Sequence, residues 1–330
     1  MKLRKIATLA ALATVTANRN SEDSPLIFAT QDYPVDGERR NSKIDSEKGI
    51  HTKEITDNNS YGKIILKSNL ELFDYLQLKG LCEDTLRPKI IKITARKIIS
   101  ELIKFDPETE ISNLIASLEN NPKLRNDVAL LSLLGIGDLA PNYPDTDNKP
   151  IKNGEVNMVT KDGNKLQIID LDSLGMEIDM SEFFYYGVDA FKNALEVLKK
   201  DPELKTKSLE RLIEIFPKMD KDKIERLFDE RIELIEKATE GTIASKDDFL
   251  NLQKFLDEDT NANRKKLNRL PTEIQEWFFE IKRFNYAIND EERIRENIIR
   301  REQFANQVPR NHVIEPESKV IKSKNPSREL

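Results

Sequence analysis

Acidic and amide side chains of the kind that bind Mg²⁺ recur in the middle of the chain. Asp138 follows Gly137, Asn157 stands at the start of a β-rich run, and Asp170 and Asp172 follow a second such run. Phosphoryl transfer from ATP needs a carboxylate that orients the acceptor hydroxyl and an Asn and an Asp that hold Mg²⁺. It usually also needs a lysine that contacts phosphate oxygens. These residue types in this order therefore indicate phosphoryl transfer.

A β-hairpin is predicted between the asparagine and the two aspartates. The runs Val156–Thr160 and Lys165–Ile169 flank the turn residues Asp162-Gly163, and an Asp-Gly pair between two β-rich runs is a strong hairpin signal. The hairpin would bring Asn157 and Asp170, which are 13 residues apart, to the same end of a rigid ribbon. A carboxylate at the end of a buried strand needs a partner or a metal ion.

Four segments between Leu131 and Asp172 carry a family resemblance: Gly137-Asp138-Leu-Ala-Pro141, Asn157-Met-Val-Thr160, Asp162-Gly163 and Ile168-Ile-Asp170-Leu-Asp172. In these segments the chain resembles the protein-kinase-like superfamily, most closely its atypical branch of phosphoinositide 3-/4-kinases and aminoglycoside-type phosphotransferases. The resemblance implies that Asp138 is the catalytic aspartate. It also implies that Asp170 binds the metal, with Asp172 in second place, and that Asn157 is the metal-binding asparagine at the ATP site.

The loop after Asp138 departs from the family pattern. Ala140 replaces the histidine of the family's loop, and Tyr143 stands where the metal-binding asparagine is expected. Asn142 lies one residue too early, whereas Asn157 requires an insertion of about 14 residues. Either asparagine could be the metal ligand, and its spacing to Asp170 favours Asn157.

A lysine that contacts ATP phosphates is predicted at the end of a short strand. The segment Tyr61–Lys67 follows turn-forming residues and reads as a strand, and the resemblance gives a strand lysine the phosphate-binding role. Lys67 is therefore the candidate, with Glu83 or Glu101 as its partner on a helix. The chain contains no Gly-x-Gly-x-x-Gly motif, which lipid kinases also lack.

Composition excludes several classes of protein. One cysteine, Cys82, permits neither an intramolecular disulfide framework nor a multi-cysteine zinc site. The two histidines, His51 and His312, lie in polar segments expected to be poorly ordered, which argues against zinc hydrolases and Ser-His-Asp catalysis. A net charge of -6 argues against nucleic acid as a partner.

The chain divides into five parts by composition. Residues 1–17 have the layout of a short signal peptide, and residues 18–59 are polar and expected to be poorly ordered or to begin an N-terminal lobe. The kinase-like core is placed at 60–200, a helical region at 201–307 and a flexible tail at 308–330. A signal-like N-terminus on a kinase-like body suits a secreted bacterial effector that acts in a host cytoplasm. Without that signal the protein would be cytoplasmic.

Helical periodicity covers most of the remaining chain. Helices are predicted over Asn69–Lys104 with an interruption at Pro88, from Asp106-Pro107, over Val128–Leu134, Ser181–Lys200, Glu203–Phe216, Lys221–Glu240 and Lys246–Leu256, and after capping residues Thr272 and Asn289. The predicted class is α+β: a kinase-like fold with a small, reduced N-terminal lobe and a large, mostly helical C-terminal lobe.

The expected function is that of an ATP- and Mg²⁺-dependent (or Mn²⁺-dependent) phosphotransferase, with a phosphoinositide as the preferred acceptor. A kinase of proteins or small molecules on the same scaffold is the first alternative. A non-catalytic helical interaction protein is the second. Basic runs at Arg264–Lys266 and Arg300–Arg301 could contact an anionic membrane peripherally.

Overall fold

The computed structural model describes residues 42–45, 48, 50–54, 60–94, 97–101, 103, 107–137, 139, 158–161, 165–169, 171–241, 243, 245–258 and 260–307. These residues form two β-sheets and ten α-helices, an α+β architecture in which helix predominates. None of these helices combines the length and the apolar character that crossing a bilayer requires. The proposed signal peptide and the tail from residue 308 lie outside the described residues.

An antiparallel sheet of four strands stands at the N-terminal side of the fold. Its strands are β1 (Ser42–Asp45), β2 (Ile50–Glu54), β4 (Ile90–Ile93) and β5 (Lys97–Glu101), in the spatial order β1-β2-β5-β4. On β2 the buried side chains are His51 and Lys53, and His51 pairs with Ser100 on β5. Since alternate residues of a strand share a face, the inner face of β2 is lined by polar groups.

The predicted hairpin is confirmed and belongs to a second, smaller sheet. Strands β6 (Met158–Lys161) and β7 (Lys165–Ile168) are antiparallel, and the short strand β3 (Thr85–Leu86) runs parallel to β7. Met158, Leu166 and Ile168 are buried. The hydrophobic side chains of the hairpin therefore fix its position in the core.

Helices fill the rest of the described chain. They are α1 (Ser60–Leu78), α2 (Pro107–Asn120), α3 (Pro122–Leu133), α4 (Met180–Tyr186), α5 (Val188–Lys200), α6 (Pro202–Ile215), α7 (Lys221–Glu240), α8 (Lys246–Asp257), α9 (Asn261–Leu267) and α10 (Thr272–Gln307). Helix α3 is central: it packs on α2, α4 and α5, and almost all residues of its C-terminal half are buried. The buried C-terminal end of α3 needs hydrogen-bond donors for its last carbonyl groups.

Four predictions about these elements are wrong. The expected strand Tyr61–Lys67 is the first part of helix α1, and the expected helix after Pro88 is the strand pair β4–β5. Asn289 begins no helix, since α10 continues through it. The helix predicted over Ser181–Lys200 is two helices, because Gly187 adopts φ +85° between α4 and α5.

Candidate functional site

A buried ion pair joins the larger sheet to the segment that follows the hairpin. The ammonium group of Lys53 on β2 bonds to Oδ2 of Asp172, which lies four residues beyond the end of β7. Their side chains are only 6% and 9% exposed. Taking two opposite charges out of water costs several kcal/mol per ion before their attraction offsets it. A buried ion pair therefore contributes little net stability to the fold. Its presence here marks this position as a candidate functional site.

His51 extends the polar cluster on the same face of β2. The imidazole is buried, and its Nε2 atom has no hydrogen-bond partner among the residues that the structure describes. Burial, with a smaller effect from the positive charge of Lys53, lowers the pKa of His51 to about 4, although Asp172 opposes this shift. His51 is therefore neutral at pH 7 and can offer a hydrogen bond without adding charge.

Helix α1 holds the Asp172 segment from the other side. The side-chain amide of Asn69, fully buried, donates from Nδ2 to the carbonyl oxygens of Leu171 (2.8 Å) and Ser173 (3.1 Å). Gly62 lies seven residues earlier on the same helical face, and a Cβ there would come within 3.6 Å of Asp172 Oδ2. Two contacts to the flanking carbonyls fix the backbone at Asp172.

The loop that carries Asp138 begins in a helix C-cap. Gly135 has φ +69°, the N–H of Ile136 bonds to Leu131 O and the N–H of Gly135 bonds to Ser132 O, which is a Schellman motif. A Cβ at Gly135 would lie 2.6 Å from Met176 Sδ, so both conformation and space require glycine here.

The loop next joins the Asp172 segment by backbone contacts. Ile136 forms an antiparallel bridge with Leu174, and the N–H of Gly175 donates to Gly135 O. Asp138 follows one bridge residue by two positions, and Asp172 precedes the other by two positions. The bridge therefore ties together the two chain segments that carry the predicted catalytic and metal-binding aspartates.

Most of the predicted site residues lie outside the described part of the chain. These are Asp138, Asn142, Asn157 and Asp170. Asp172 is described and occupies the buried ion pair. Its carboxylate is an oxygen donor of the type that Mg²⁺ prefers, and so is Oδ1 of Asn69, which has no hydrogen-bond partner within the described part of the chain. Among the described residues no cluster of three or more His, Cys, Asp or Glu could hold a metal ion.

Lys67 lies on the exposed side of helix α1 and not on a strand. Its ammonium group is 3.5 Å from Glu71 and 3.6 Å from Glu214, and the charge of Glu71 in particular raises the pKa of Lys67. Glu101, one of its expected helical partners, is on strand β5, and Glu83 is in the turn after α1. The predicted phosphate-binding role of Lys67 required a strand at Tyr61–Lys67, and these residues are helical instead.

Sequence reasoning missed Lys53 and His51. His51 is buried, contrary to the expectation of a poorly ordered segment. The segment Ile50–Glu54 shows no apolar alternation, because the side chains that face inward are the polar ones. A lysine two residues from a histidine in a short stretch rich in β-formers was the available signal, and it is weak.

Comparison with known proteins assigns no family to this geometry. The sequence matches no protein-family model, and no curated protein is significantly similar to it. The function of the protein is therefore inferred from the site itself.

Proposed function

We propose that this protein is an ATP- and Mg²⁺-dependent phosphotransferase with a kinase-like fold, acting on a phosphoinositide-type acceptor. The observation that carries the proposal is the buried ion pair between Lys53 on a strand and Asp172 after a hairpin. In protein kinases a strand lysine contacts the ATP phosphates and an aspartate after the catalytic loop holds Mg²⁺. Lys53 would contact the phosphates of ATP, and Asp172 would bind the Mg²⁺ ion that accompanies them.

The order of elements supports this assignment. Strand β2 with Lys53 is followed by helix α1, strands β4 and β5, helices α2 and α3, the Asp138 loop, the β6–β7 hairpin and Asp172. Kinases place the strand lysine, the helix that faces it, the catalytic loop and the metal-binding aspartate in the same sequence order. Lys53 thereby takes the role that we first predicted for Lys67.

One departure concerns the helix that faces the lysine. Kinases supply a glutamate from this helix to pair with the strand lysine, whereas α1 turns the neutral amide of Asn69 towards the Asp172 segment. Lys53 pairs with Asp172 instead. Binding of ATP would replace this carboxylate by phosphate oxygens as the partner of the lysine, and would leave Asp172 available to the metal ion.

The chemical step requires one proton acceptor. The oxygen of the acceptor hydroxyl forms a bond to the γ-phosphorus while the bond from that phosphorus to the β–γ bridging oxygen breaks and ADP leaves. The hydroxyl proton passes to the carboxylate of Asp138. Asp170 and Asp172, with one of Asn157 or Asn142, would hold Mg²⁺, which when bound would neutralise charge at the phosphates. Lys53 orients the phosphates.

The choice of a lipid acceptor rests on the resemblance and on a basic surface. Arg264, Lys265 and Lys266 on helix α9 are all exposed, and buried Leu267 anchors the helix. Clusters of basic residues favour contact with anionic lipid surfaces. A peripheral position at a host membrane would agree with secretion of the protein. A protein or small-molecule acceptor is the alternative on the same scaffold.

The first experiment is calorimetric titration of the full chain with MgATP. We expect binding by the wild type and at least tenfold weaker binding by Lys53→Met and by Asp172→Asn. The matched control is Lys67→Met, which removes an exposed lysine of the neighbouring helix and should leave the Kd within twofold. Circular dichroism and melting temperature verify that each variant is folded.

Two further arms make this test decisive. The double variant Lys53→Met/Asp172→Leu leaves no buried unpaired charge, so it supplies folded protein if a single variant unfolds. Transfer from labelled ATP to phosphatidylinositol vesicles is compared with transfer to casein, which separates lipid from protein acceptors. If the folded wild type fails to bind ATP in the presence of Mg²⁺ and also in the presence of Mn²⁺, the phosphotransferase proposal is refuted. That result would favour a non-catalytic helical interaction protein.

A further inference from the structure

Two fully buried arginines bind the backbone around the candidate site. Arg211 on α6 donates from Nη1 to Leu134 O and from Nη2 to Gly135 O, each at 2.6 Å. Arg231 on α7 donates from Nη2 to Ser132 O at 2.8 Å. Carbonyl groups at the C-terminus of helix α3 and in its cap are thus bound by guanidinium groups from two other helices, and the carbonyls of Ser132 and Gly135 accept these bonds in addition to backbone N–H groups.

Arg231 also reaches the segment after Asp172. Its Nη1 donates to Met176 O (2.6 Å) and to Glu177 O (2.8 Å). One guanidinium group therefore binds both the last turn of helix α3, which leads into the Asp138 loop, and the chain that follows Asp172. The rigid, planar fork of arginine can serve both segments at fixed separation, which the single ammonium group of a lysine cannot reproduce.

Tyr186 binds the other side of the Asp138 loop. Its hydroxyl group donates to Leu139 O at 2.7 Å, and both residues are buried. Leu139 directly follows Asp138 in the sequence. The backbone is consequently bound three residues before the aspartate, by Arg211, and one residue after it, by Tyr186.

Water or an exposed lysine could satisfy helix carbonyls at much lower cost. Burial lowers the pKa of Arg211 to about 9 and that of Arg231 to about 10, so both keep their charge at pH 7 in an environment that opposes charge. Burying a charge is expensive unless hydrogen bonds compensate for it. Such an arrangement is retained more readily where the position of the bound backbone matters.

We propose that Arg231, together with Arg211 and Tyr186, forms a carbonyl clamp that sets the position of the described backbone on either side of Asp138 relative to the segment that follows Asp172. This inference rests on the proposed phosphotransferase function. The three side chains are positioning residues: they act on the reaction through the backbone that carries the aspartates. Removing one of them should lower kcat and leave nucleotide affinity nearly unchanged, since Asp172 and its flanking backbone are held separately by Lys53 and Asn69.

The test compares kcat and KM for MgATP in variants of the full chain. Transfer to phosphatidylinositol vesicles and release of ADP are both measured. Tyr186→Phe keeps the ring and removes one hydrogen bond, so we expect kcat to fall about 3- to 10-fold. Arg231→Lys keeps the positive charge but loses the planar fork that binds both backbone segments. If the two segments then shift relative to each other by about 1 Å, kcat should fall about 100-fold.

Matched controls are exposed residues on α10, Tyr286→Phe and Arg283→Lys, which should behave as the wild type. Support for the clamp is a loss of kcat with KM and Kd for MgATP within about threefold, measured well below the melting temperature. If Arg231→Lys does not fold, Tyr186→Phe decides alone.

Two results would overturn the clamp, and they differ from each other. An active wild type whose Tyr186→Phe and Arg231→Lys variants keep kcat, or lose affinity in step with melting temperature, would show that the clamp only stabilises the fold. A wild type that neither binds nor turns over MgATP would overturn the proposed function and the role of the clamp with it.

Discussion

Replacing Lys53 by methionine should lower the free energy of unfolding by about 3–5 kcal/mol. The substitution keeps most of the aliphatic volume and leaves the Asp172 carboxylate, 9% exposed, without its ammonium partner. An uncompensated buried charge accounts for a loss of this size. Asp172→Leu should cost a similar amount, because it removes the carboxylate that compensates the buried Lys53 ammonium group.

The double variant provides the sharper expectation. Lys53→Met/Asp172→Leu removes both charges, and apolar replacements of a buried pair are often neutral or stabilising. We therefore expect the double variant to unfold within about 1 kcal/mol of the wild type, far from the sum of the single losses. Both the single and the double variants should lose MgATP binding, which separates the functional role of the pair from its effect on stability.

Urea unfolding at pH 7 measures these differences. Trp277, the one tryptophan of the chain, is 7% exposed and donates from Nε1 to Leu234 O at 2.9 Å, so its fluorescence reports on the packing of α7 and α10. Coincident transitions by fluorescence and far-UV circular dichroism check two-state behaviour. Lys199→Met, which removes an exposed ion pair with Glu236, is the control and should leave the midpoint unchanged.

One outcome would contradict the electrostatic argument. If Lys53→Met and Asp172→Leu each cost less than about 1 kcal/mol, the pair would behave as a solvent-exposed one. The two charges would then not be desolvated together, and the site would lose the property on which the proposal depends.

Two further predictions concern stability. Burial raises the pKa of Asp127 from 3.8 to about 6, so the folded state binds its proton more tightly than the unfolded state and stability should fall as pH rises from about 4 to 6. Asp127→Asn should be more stable than the wild type by up to about 3 kcal/mol at pH 7 and not below pH 4; equal unfolding midpoints at pH 7 would contradict this. Gly135→Ala should cost about 2–3 kcal/mol, because φ is +69° and Met176 Sδ lies 2.6 Å from the new Cβ. Gly80→Ala, with φ +73° and its nearest atom at 3.8 Å, should cost less, and equal melting temperatures for the two variants would refute the steric part of the argument.

Several elements that begin or end at glycine or proline residues were predicted correctly from the local sequence. The hairpin β6–β7 follows from Asp162-Gly163, and helix α2 begins at Pro107 as the Asp-Pro signal indicates. Helix α7 ends at Glu240, directly before Gly241. In each case the residue types at the boundary were a sufficient local signal.

Isoleucine-rich segments were assigned to the wrong class. Lys63–Lys67 and Ile90–Ile99 each contain β-branched residues in short runs that fit a strand or a helix equally well. Tertiary packing decided between them: α1 buries residues at helical spacing, among them Ile65, Asn69 and Phe73. On β5, Ile98 and Ser100 are buried in alternation. A polar residue at an inward position obscures such a pattern.

The site residues violate the pattern that reveals ordinary strands. On β2 the inward positions are His51 and Lys53, so an analysis that expects apolar residues inside finds no strand there. Functional sites are where local rules are expected to fail. The partner of Lys53 is 119 residues away in the sequence, and no local property of either residue specifies that pairing.

The clamp recognises backbone, and this has an evolutionary consequence. The guanidinium groups bind backbone carbonyl oxygens, here those of Ser132, Leu134, Met176 and Glu177. Every amino acid has this carbonyl group, so these hydrogen bonds do not restrict which amino acid occupies each position. The constraint falls on the side chains that donate. Descendants of a common ancestor could therefore drift in their loop motifs while they keep a buried Arg–Arg pair, twenty residues apart, on two successive helices. A search for distant relatives should weight that spacing above the sequence of the loops.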